Sequence, residues 1–404
     1  MQRAFIVAPN IGLSFGGGGG VKVALYMAQT LLENDWWVHL LALGGWNVEK
    51  LDGVHGTSLW RFRKEGRLVV NYLLGAKDSP RVPFPIAVEL IALYVTRLVK
   101  EHSPDIVIFH DDVPKIGEGV FKNVSKIILY SHFPYVARAR FNIVDPVEIG
   151  LERLQSYKTR LYYRALRRAV YCDSIPKEVE LVANSTVTKV FMETLWRRNV
   201  KVLYPPVTFQ PKPLKVPKDN SAVLIGGQPN KRVGDAVKAL AELRSRGRSI
   251  PKLYVVAQGF VPWYKEWLTN LIHGLGLQQY VHLVENLPER DLLDLYASAK
   301  IVLSTAHFEP FGMSIAEGMV FRDVPVVYRG ALSGPWVDVI NRGKYGKSFR
   351  ALADLADTID YIMNAPHSEL FELQKKAVEG SHRFSLNIFR ENFIELIEGD
   401  FGHV

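Results

Sequence analysis

Two α/β domains, each built on a parallel sheet, are predicted by three features of the sequence. Short apolar runs of strand length alternate with helix-patterned segments through most of the chain. A strand, a glycine-containing loop and a helix open the chain at residue 4, and the same succession starts again at residue 222. Between them, Pro205-Pro206 and the Pro/Lys-rich stretch to Lys218 read as a linker. At 404 residues the chain is too long for one core and suits two domains of ordinary size.

Composition narrows the class. An apolar fraction of 48% is that of a globular protein. The single cysteine, Cys172, excludes an intramolecular disulfide and argues against a thiolate metal cluster. It fits a reducing compartment. The longest apolar run, Phe84 to Val99, is too short to span a membrane and carries Glu89 and Arg97. Arg3 leads straight into Ala4-Phe-Ile-Val-Ala, which is no signal peptide. The expected location is cytoplasmic, with peripheral attachment to the cytoplasmic membrane face as an option. A net charge of +9 is compatible with nucleic acid, anionic lipid or phosphorylated substrates. No base-reading motif is present, so nucleic acid is not expected.

In the first domain, Ala4 to Ala8 reads as a strand and is followed by Asn10 to Gly20, which ends in five glycines. A helical pattern then runs from Val21 to about Glu33. Five glycines cost conformational entropy, so close backbone approach to a ligand, with Gly19 and Gly20 nearest the helix, is the preferred reading over a merely flexible loop. A dinucleotide site is disfavoured. The second strand, Trp37 to Leu43, ends in Gly44-Gly45 with no acid to hold a ribose, and Val21 breaks the G-x-G-x-x-G pattern.

Residues 50 to 103 contain strand-like and helical pieces, among them Leu59-Trp-Arg-Phe-Arg63. Arg61, Arg63, Lys64 and Arg67 there read as a solvated turn region or an acceptor-facing patch. Asp105 to Asp112 is a buried strand with polar residues at its carboxyl end. Asp111 and Asp112 alone are weak as metal ligands, and no metal is predicted. Lys126 to Pro134 is the next strand, and His132 stands at its end before Phe-Pro.

Leu151 to Tyr171 reads as an amphipathic helix. Leu151, Leu154, Leu161, Tyr162, Ala165 and Ala169 are placed on one face, and Arg153, Arg160, Arg164 and Arg167 on the other. The basic excess suits an anionic membrane surface or a lipid-pyrophosphate acceptor, and equally a solvated helix. Val179 to Ser185, a helix to Leu195-Trp196, and Val200 to Val207 complete the domain. Asn184-Ser185 is a helix-capping signal.

The second domain opens with Ala222 to Gly227 as a strand and a helix starting near Asp235. Lys231 and Arg232 lie at the intervening turn, where cations would meet phosphate. Leu253 to Ala257, Val281 to Val284 and Ile301 to Ser304 continue the parallel sheet. Next comes the richest stretch, Leu303 to Met319, followed by the apolar run from Asp323 to Tyr328. A short helix is predicted from Gly312 to Met319. Its N–H groups beside Phe311, Gly312 and Met313 suit a diphosphate. Glu309 and Glu317 either accept hydrogen bonds from sugar and ribose hydroxyls or are solvated charges.

The stretch Glu-Pro-Phe-Gly-Met-Ser-Ile-Ala-Glu-Gly-Met from Glu309, with Val-Pro-Val-Val after it, resembles the donor-site signature of retaining glycosyltransferases of family 4, which have the GT-B fold. Val-Ala-Asn-Ser-Thr from Val182, through Leu195-Trp196 to Leu-Tyr-Pro-Pro-Val207, looks like the dolichol-linked oligosaccharide α-1,2-mannosyltransferases of that family. His132 matches a His-x-Pro motif of several of its mannosyltransferases.

The resemblance implies two Rossmann-like domains facing across a cleft: an acceptor domain at 1–206, a donor domain at 207–383, and a C-terminal helix, 384–404, crossing back to the first. It implies that Glu309 and His132 contact the transferred sugar and Glu317 the ribose. The backbone at Gly312 and Met313 would hold sugar and phosphate, and Lys231 the phosphates. The segment Val284 to Leu287 would lie against the base. The family usually has an Arg three residues before Pro229, and Gly226 stands there. One phosphate clamp is therefore absent, with Arg232 a possible replacement.

The activity implied is metal-independent, cofactor-free transfer of a hexose from a nucleotide sugar, first of all mannose from GDP-mannose, to a lipid-linked or glycan acceptor. The catalytic set is His132, Glu309 and Lys231. The alternatives are a UDP-glucose or UDP-N-acetylhexosamine transferase, a GT-B epimerase or phosphorylase, and a non-catalytic binder.

Overall fold

The computed structural model describes residues 1–8, 18–44, 47–73, 84–117, 119–134, 136–137, 157–209 and 218–399. They divide into two compact units. The first comprises the described residues up to Pro206 together with those from Leu386 onward, and the second runs from Val207 to Ser385.

The strands of the first unit are β1 (Arg3–Val7), β2 (Trp37–Ala42), β3 (Leu68–Tyr72), β4 (Ile106–His110), β5 (Lys126–Ser131), β6 (Val179–Ala183) and β7 (Lys201–Val202). They form one parallel sheet in the order β3-β2-β1-β4-β5-β6-β7. Helices α1 (Gly19–Glu33), α2 (Val48–His55), α3 (Leu59–Lys64), α4 (Phe84–His102), α5 (Tyr157–Ala169) and α6 (Thr186–Trp196) intervene. β4 is buried along its whole length, as its unbroken Ile-Val-Ile-Phe run requires of a strand covered on both faces. Ser185 caps α6, its Oγ accepting from the Thr188 N–H at 3.0 Å.

The second unit holds β8 (Ser221–Ile225), β9 (Lys252–Ala257), β10 (Val281–Glu285), β11 (Ile301–Ser304), β12 (Val324–Tyr328) and β13 (Lys347–Phe349). These pair in parallel in the order β10-β9-β8-β11-β12-β13. Its helices are α7 (Val233–Ser245), α8 (Pro262–Gly274), α9 (Glu289–Ser298), α10 (Met313–Val320), α11 (Leu352–Asn364) and α12 (His367–Ser381). In both sheets the strand order reverses beside the first strand of the unit. Open α/β sheets bind ligands at the carboxyl edge of that reversal.

The last helix, α13 (Leu386–Glu398), belongs to the first unit. Phe389, Phe393, Leu396 and Ile397 are buried in the same core as Leu25, Ala28 and Leu32 of α1. Lys126 closes its carboxyl end, its ammonium donating to the carbonyls of Leu396 and Ile397. A cation there also suits the helix dipole.

Leu59 to Lys64, left open between strand and helix by the sequence, is a helix, with Arg61 held by Glu65 at 3.1 Å across one turn. Two local readings differ from the sequence expectation. Arg67 is a structural residue, donating to the Leu32 and Trp36 carbonyls and lying near Asp35. Among the residues of α5 whose burial is described, Leu166 and Ala169 are buried, whereas Leu161, Tyr162 and Ala165 are exposed beside Arg164, Arg167 and Arg168. The apolar face predicted for this helix is therefore rotated. Leu151, Arg153 and Leu154 lie outside the described residues, and so do residues 9–17 of the glycine segment.

Candidate functional site

In the second unit the reversal lies between β8 and β11, where Leu224 is paired with Leu303. β8 runs into Gly226-Gly227 and then a single turn, Pro229–Lys231. β11 runs into Thr305. The Thr305 hydroxyl reaches the carbonyls of Lys231 and Arg232, at 2.7 and 3.0 Å. A side chain at the end of one strand thus fixes the turn that follows its neighbour.

Lys231 and Glu309 meet there. The ammonium donates to the Glu309 carboxylate, and both side chains are partly accessible. The backbone of Glu309 is held as well. Its N–H donates to the Leu332 carbonyl at 3.2 Å, and its carbonyl accepts from the Gly334 N–H at 2.7 Å. Gly334 permits this contact, since a Cβ there would lie 2.0 Å from the Pro310 oxygen.

Three residues after Glu309, Gly312 turns the chain into α10 with φ 97°, a conformation that favours glycine. A Cβ at Gly312 would meet Pro335 Cγ at 2.5 Å. Gly312, the residue before α10, brings no side chain to cap it. The first N–H groups and positive dipole end of such a helix suit an anion, and the loop leading into it carries Glu309, which meets Lys231. The start of α7 is occupied differently. The buried Tyr264 hydroxyl accepts from the N–H groups of Gly234 and Val233, while burial pushes its pKa up to about 12.

The other donor-side residues fall as follows. Arg232 takes a left-handed backbone at the start of α7, and its guanidinium lies 2.8 Å from Asp235. Phe311 is 2% exposed and packs edge-on against Phe384, so only its backbone is available to a ligand. Glu317 is half-buried one turn into α10. At the end of β10, Glu285 accepts from the Phe260 N–H at 3.1 Å and from Lys265, whose hydrogen bond holds its carboxyl below the usual range.

In the first unit the reversal lies between β1 and β4. Gly19 and Gly20 begin α1, and a Cβ at Gly20 would lie 3.1 Å from the His132 ring. The two predicted residues are thus in close approach, which a larger residue at 20 would disturb. The His132 peptide is held at both ends: its N–H donates to Asp111 Oδ1 at 3.0 Å, and its carbonyl accepts from the Thr188 hydroxyl at 2.9 Å. Asp111 has φ 73°, an uncommon conformation for a non-glycine residue. His132 Nε2 is buried without a hydrogen-bond partner among the described residues. Burial pushes its pKa down, with Asp111 pulling the other way. His110, buried and stacked on it at 5.9 Å, is pushed well down by burial and by His132.

The geometry brings Lys231, Glu309, Gly312 and Met313 together in one unit, and Gly20 and His132 in the other. Sequence reasoning missed Thr305, Gly334 and the roles of Asp111 and Thr188. Only the glycine and the strand-end position of Thr305 carried a local signal. Among the described residues no group of three or more His, Cys, Asp or Glu side chains could hold a metal ion. No described helix is long and apolar enough to cross a membrane.

Residues 208–382 match the family model described as Glycosyl transferases group 1. The chain is similar to the human GDP-Man:Man(3)GlcNAc(2)-PP-Dol alpha-1,2-mannosyltransferase, at 25% identity over 67% of this chain and 60% of the relative. The corresponding Dictyostelium discoideum protein is 22% identical over 68% of this chain and 59% of that protein. The chain thus spans about 60% of the length of the curated relatives it matches.

Among solved structures it resembles WaaG, a glycosyltransferase involved in lipopolysaccharide biosynthesis, with a TM-score of 0.68 and 16% identity, covering 98% of this chain and 100% of that one. Sucrose-phosphate synthase from Thermosynechococcus elongatus gives a TM-score of 0.71 at 15% identity, with 99% of each chain covered. The fold, two parallel α/β sheets of seven and six strands, is GT-B.

Proposed function

We propose that this chain, whose residues 208–382 form a glycosyl transferases group 1 domain, is a retaining glycosyltransferase that moves mannose from GDP-mannose to a lipid-linked or glycan acceptor. The observation that carries the reading is the contact of Lys231 with Glu309, three residues before the glycine turn into α10. A nucleotide sugar presents a diphosphate and a hydroxylated ring side by side, and this site offers a cation, helix N–H groups and a hydroxyl acceptor in the same arrangement. The names of the relatives support the donor and the lipid-linked class of acceptor.

In this reading Lys231 and the α10 N–H groups hold the diphosphate, Glu309 accepts from sugar hydroxyls, and Glu317 accepts from the ribose. The bond from the anomeric carbon to the diphosphate oxygen breaks as the acceptor oxygen attacks the same face. The acceptor proton passes to the departing diphosphate. Lys231 and the helix end stabilise the charge that develops there, so the proposal requires no metal and no protein nucleophile. Arg232, whose Nε lies 2.8 Å from Asp235, adds its charge to the same turn and is a second cation for the phosphates.

The test is equilibrium binding and slow hydrolysis of a sugar-nucleotide panel by the wild type, Glu317→Ala and Lys231→Ala. GDP-mannose is expected to bind alone, with each substitution weakening it roughly tenfold or more. Preference for a UDP sugar would overturn the mannosyl reading, and absence of any binding would overturn the transferase reading.

Peripheral membrane attachment on the cytoplasmic face is part of the proposal. α5 exposes Leu161 and Tyr162 with Arg164, Arg167 and Arg168, and the neighbouring α4 exposes Leu93. Apolar side chains flanked by arginines suit an anionic lipid surface. Arg153 and Arg160 carry the same sign in the sequence. Co-sedimentation with phosphatidylserine-containing vesicles is expected to weaken by roughly tenfold in the Arg164→Glu/Arg168→Glu variant. Unchanged sedimentation would remove α5 from the membrane model.

A further inference from the structure

We infer that Arg383 is a positioning residue for Glu309, and that it acts through the turn that braces the Glu309 loop. The brace begins with Leu332 to Pro335. The Glu309 N–H donates to the Leu332 carbonyl, the Gly334 N–H donates to the Glu309 carbonyl, and Pro335 lies where a Cβ at Gly312 would be. A Cβ at Gly334 would lie 2.8 Å from Phe311 Cα as well as against Pro310. The backbone from Glu309 to Gly312 has no slack against this segment. The place of the Glu309 carboxylate therefore follows from where the segment is held.

The segment runs directly into a backbone that needs outside support. From Pro335 to Val339 the chain forms one wide turn, closed by the Ile340 N–H on the Pro335 carbonyl at 2.9 Å. Such turns are rare. Asn341, Arg342 and Gly343 follow with φ 46°, 52° and 98°, a left-handed succession in which only the last is glycine. Backbones of this kind are uphill on their own and persist where neighbouring structure fixes them.

Arg383 fixes this one. It stands in the single turn His382–Phe384 that follows α12. Its Nη2 donates to the carbonyls of Asp338 and Val339, at 3.0 and 2.7 Å, and its Nε to that of Gly380 at 3.2 Å. The guanidinium is laid over the rings of Tyr345 and Phe384, at 4.8 and 4.7 Å. A planar fork that bonds carbonyls with its edge and stacks on rings with its face is particular to arginine. The next residue, Phe384, packs edge-on against Phe311 at 5.2 Å. Residues 383 and 384 thus hold the loop from Glu309 to Gly312 from two sides, one through the turn and one directly. The phosphate side is anchored separately. Thr305 holds the Lys231 turn, and Ile315, Ala316 and Met319 of α10 are fully buried. Loosening Arg383 frees the sugar-facing carboxylate and leaves the phosphate contacts.

The inference rests on the donor-site reading above, and its test separates the two. The kcat and KM for GDP-mannose hydrolysis, and GDP affinity by calorimetry, are measured on the full chain for the wild type, Arg383→Met, Arg383→Lys, Glu309→Ala and Glu309→Ala/Arg383→Met. Arg383→Met keeps an apolar stem and loses every donor. It is expected to lower kcat roughly tenfold or more while GDP affinity changes less than about threefold. Arg383→Lys, which keeps the charge and can donate to a carbonyl, should fall between Arg383→Met and the wild type. In the Glu309→Ala background, Arg383→Met is expected to change kcat by less than about twofold, because the group it positions is gone.

Parallel losses of GDP affinity and turnover would make Arg383 part of the general scaffold and overturn the inference. Undiminished turnover in Arg383→Met, or additive losses in the double variant, would overturn it too, and each of these results leaves the donor site standing. Failure of the wild type to bind GDP and to hydrolyse GDP-mannose would overturn both. Should Arg383→Met not fold, the same cycle with Arg383→Lys and Glu309→Ala decides, and undiminished turnover or additive losses there overturn the inference.

Discussion

Glu309→Ala is expected to lower kcat/KM for sugar transfer by about 10²–10³-fold, the range typical of losing a preorganised charged contact at the reacting centre. Two effects combine. The sugar loses an acceptor for its hydroxyls, and its ring is no longer fixed relative to the diphosphate. The same substitution should leave GDP binding intact or tighten it a few-fold, because the Lys231 ammonium is released from its carboxylate partner. Glu309→Gln keeps the shape and a carbonyl acceptor and should fall between. Steady-state transfer assays paired with GDP calorimetry read both quantities. A variant that lost GDP affinity and transfer in equal measure would show Glu309 to be scaffolding for the loop, whose backbone it shares with Leu332 and Gly334.

The largest stability effect is expected at Asp323, ahead of β12. Its side chain is fully buried and receives the ammonium of Lys218, which also donates to the Tyr296 carbonyl at 2.7 Å. Removing one member leaves the other charged group or its dipole in a dry site, so Asp323→Ala should cost about 3–5 kcal/mol in urea unfolding. The Lys218→Met/Asp323→Leu variant replaces both and should be close to wild type or more stable.

Burial pushes the Asp323 carboxyl up to about 8, although Lys218 pulls it down, and burial pushes Lys218 down from its usual value. A folded value above the ordinary 3.8 means that the folded chain holds this proton more tightly than the unfolded chain. The Asp323 contribution is then full below pH 3.8 and is lost as pH rises through about 8. The depressed Lys218 acts in the opposite sense at the alkaline end, so unfolding free energy measured from pH 5 to 9 should fall with pH in the wild type most steeply below about 8, and be flatter in the double variant. Equal slopes would mean that the pair stays ionised throughout.

Much of the architecture was legible because it is written in local pattern. Unbroken apolar runs such as Ile106-Val-Ile-Phe109 and Ile301-Val-Leu303 belong to strands buried on both faces, and their short length between polar and turn residues places them. Ser185 sits at a helix start as its side-chain chemistry dictates. The stretch from Glu309 to Glu317 announced a loop, a glycine turn and a short helix, and each is present. α5 shows the limit of that method. The sequence marks it as amphipathic, but which of its apolar residues are covered depends on what packs against it.

By itself, then, the sequence determined two parallel α/β units, the order of their elements and the chemistry at the strand ends. The tertiary structure alone decided which of those ends meet. Lys231 touches Glu309 across 78 residues of chain, and Lys218 touches Asp323 across 105. Thr305 fixes a turn more than 70 residues before it. The Lys231 stem lies where a Cβ at Gly226 would be, and the Tyr264 hydroxyl takes the start of α7. The physical reason is range. Propensity, periodicity and capping act over a few residues and are visible in order along the chain, whereas ion pairing, steric exclusion and burial act between neighbours in space, and the sheet order chooses those neighbours.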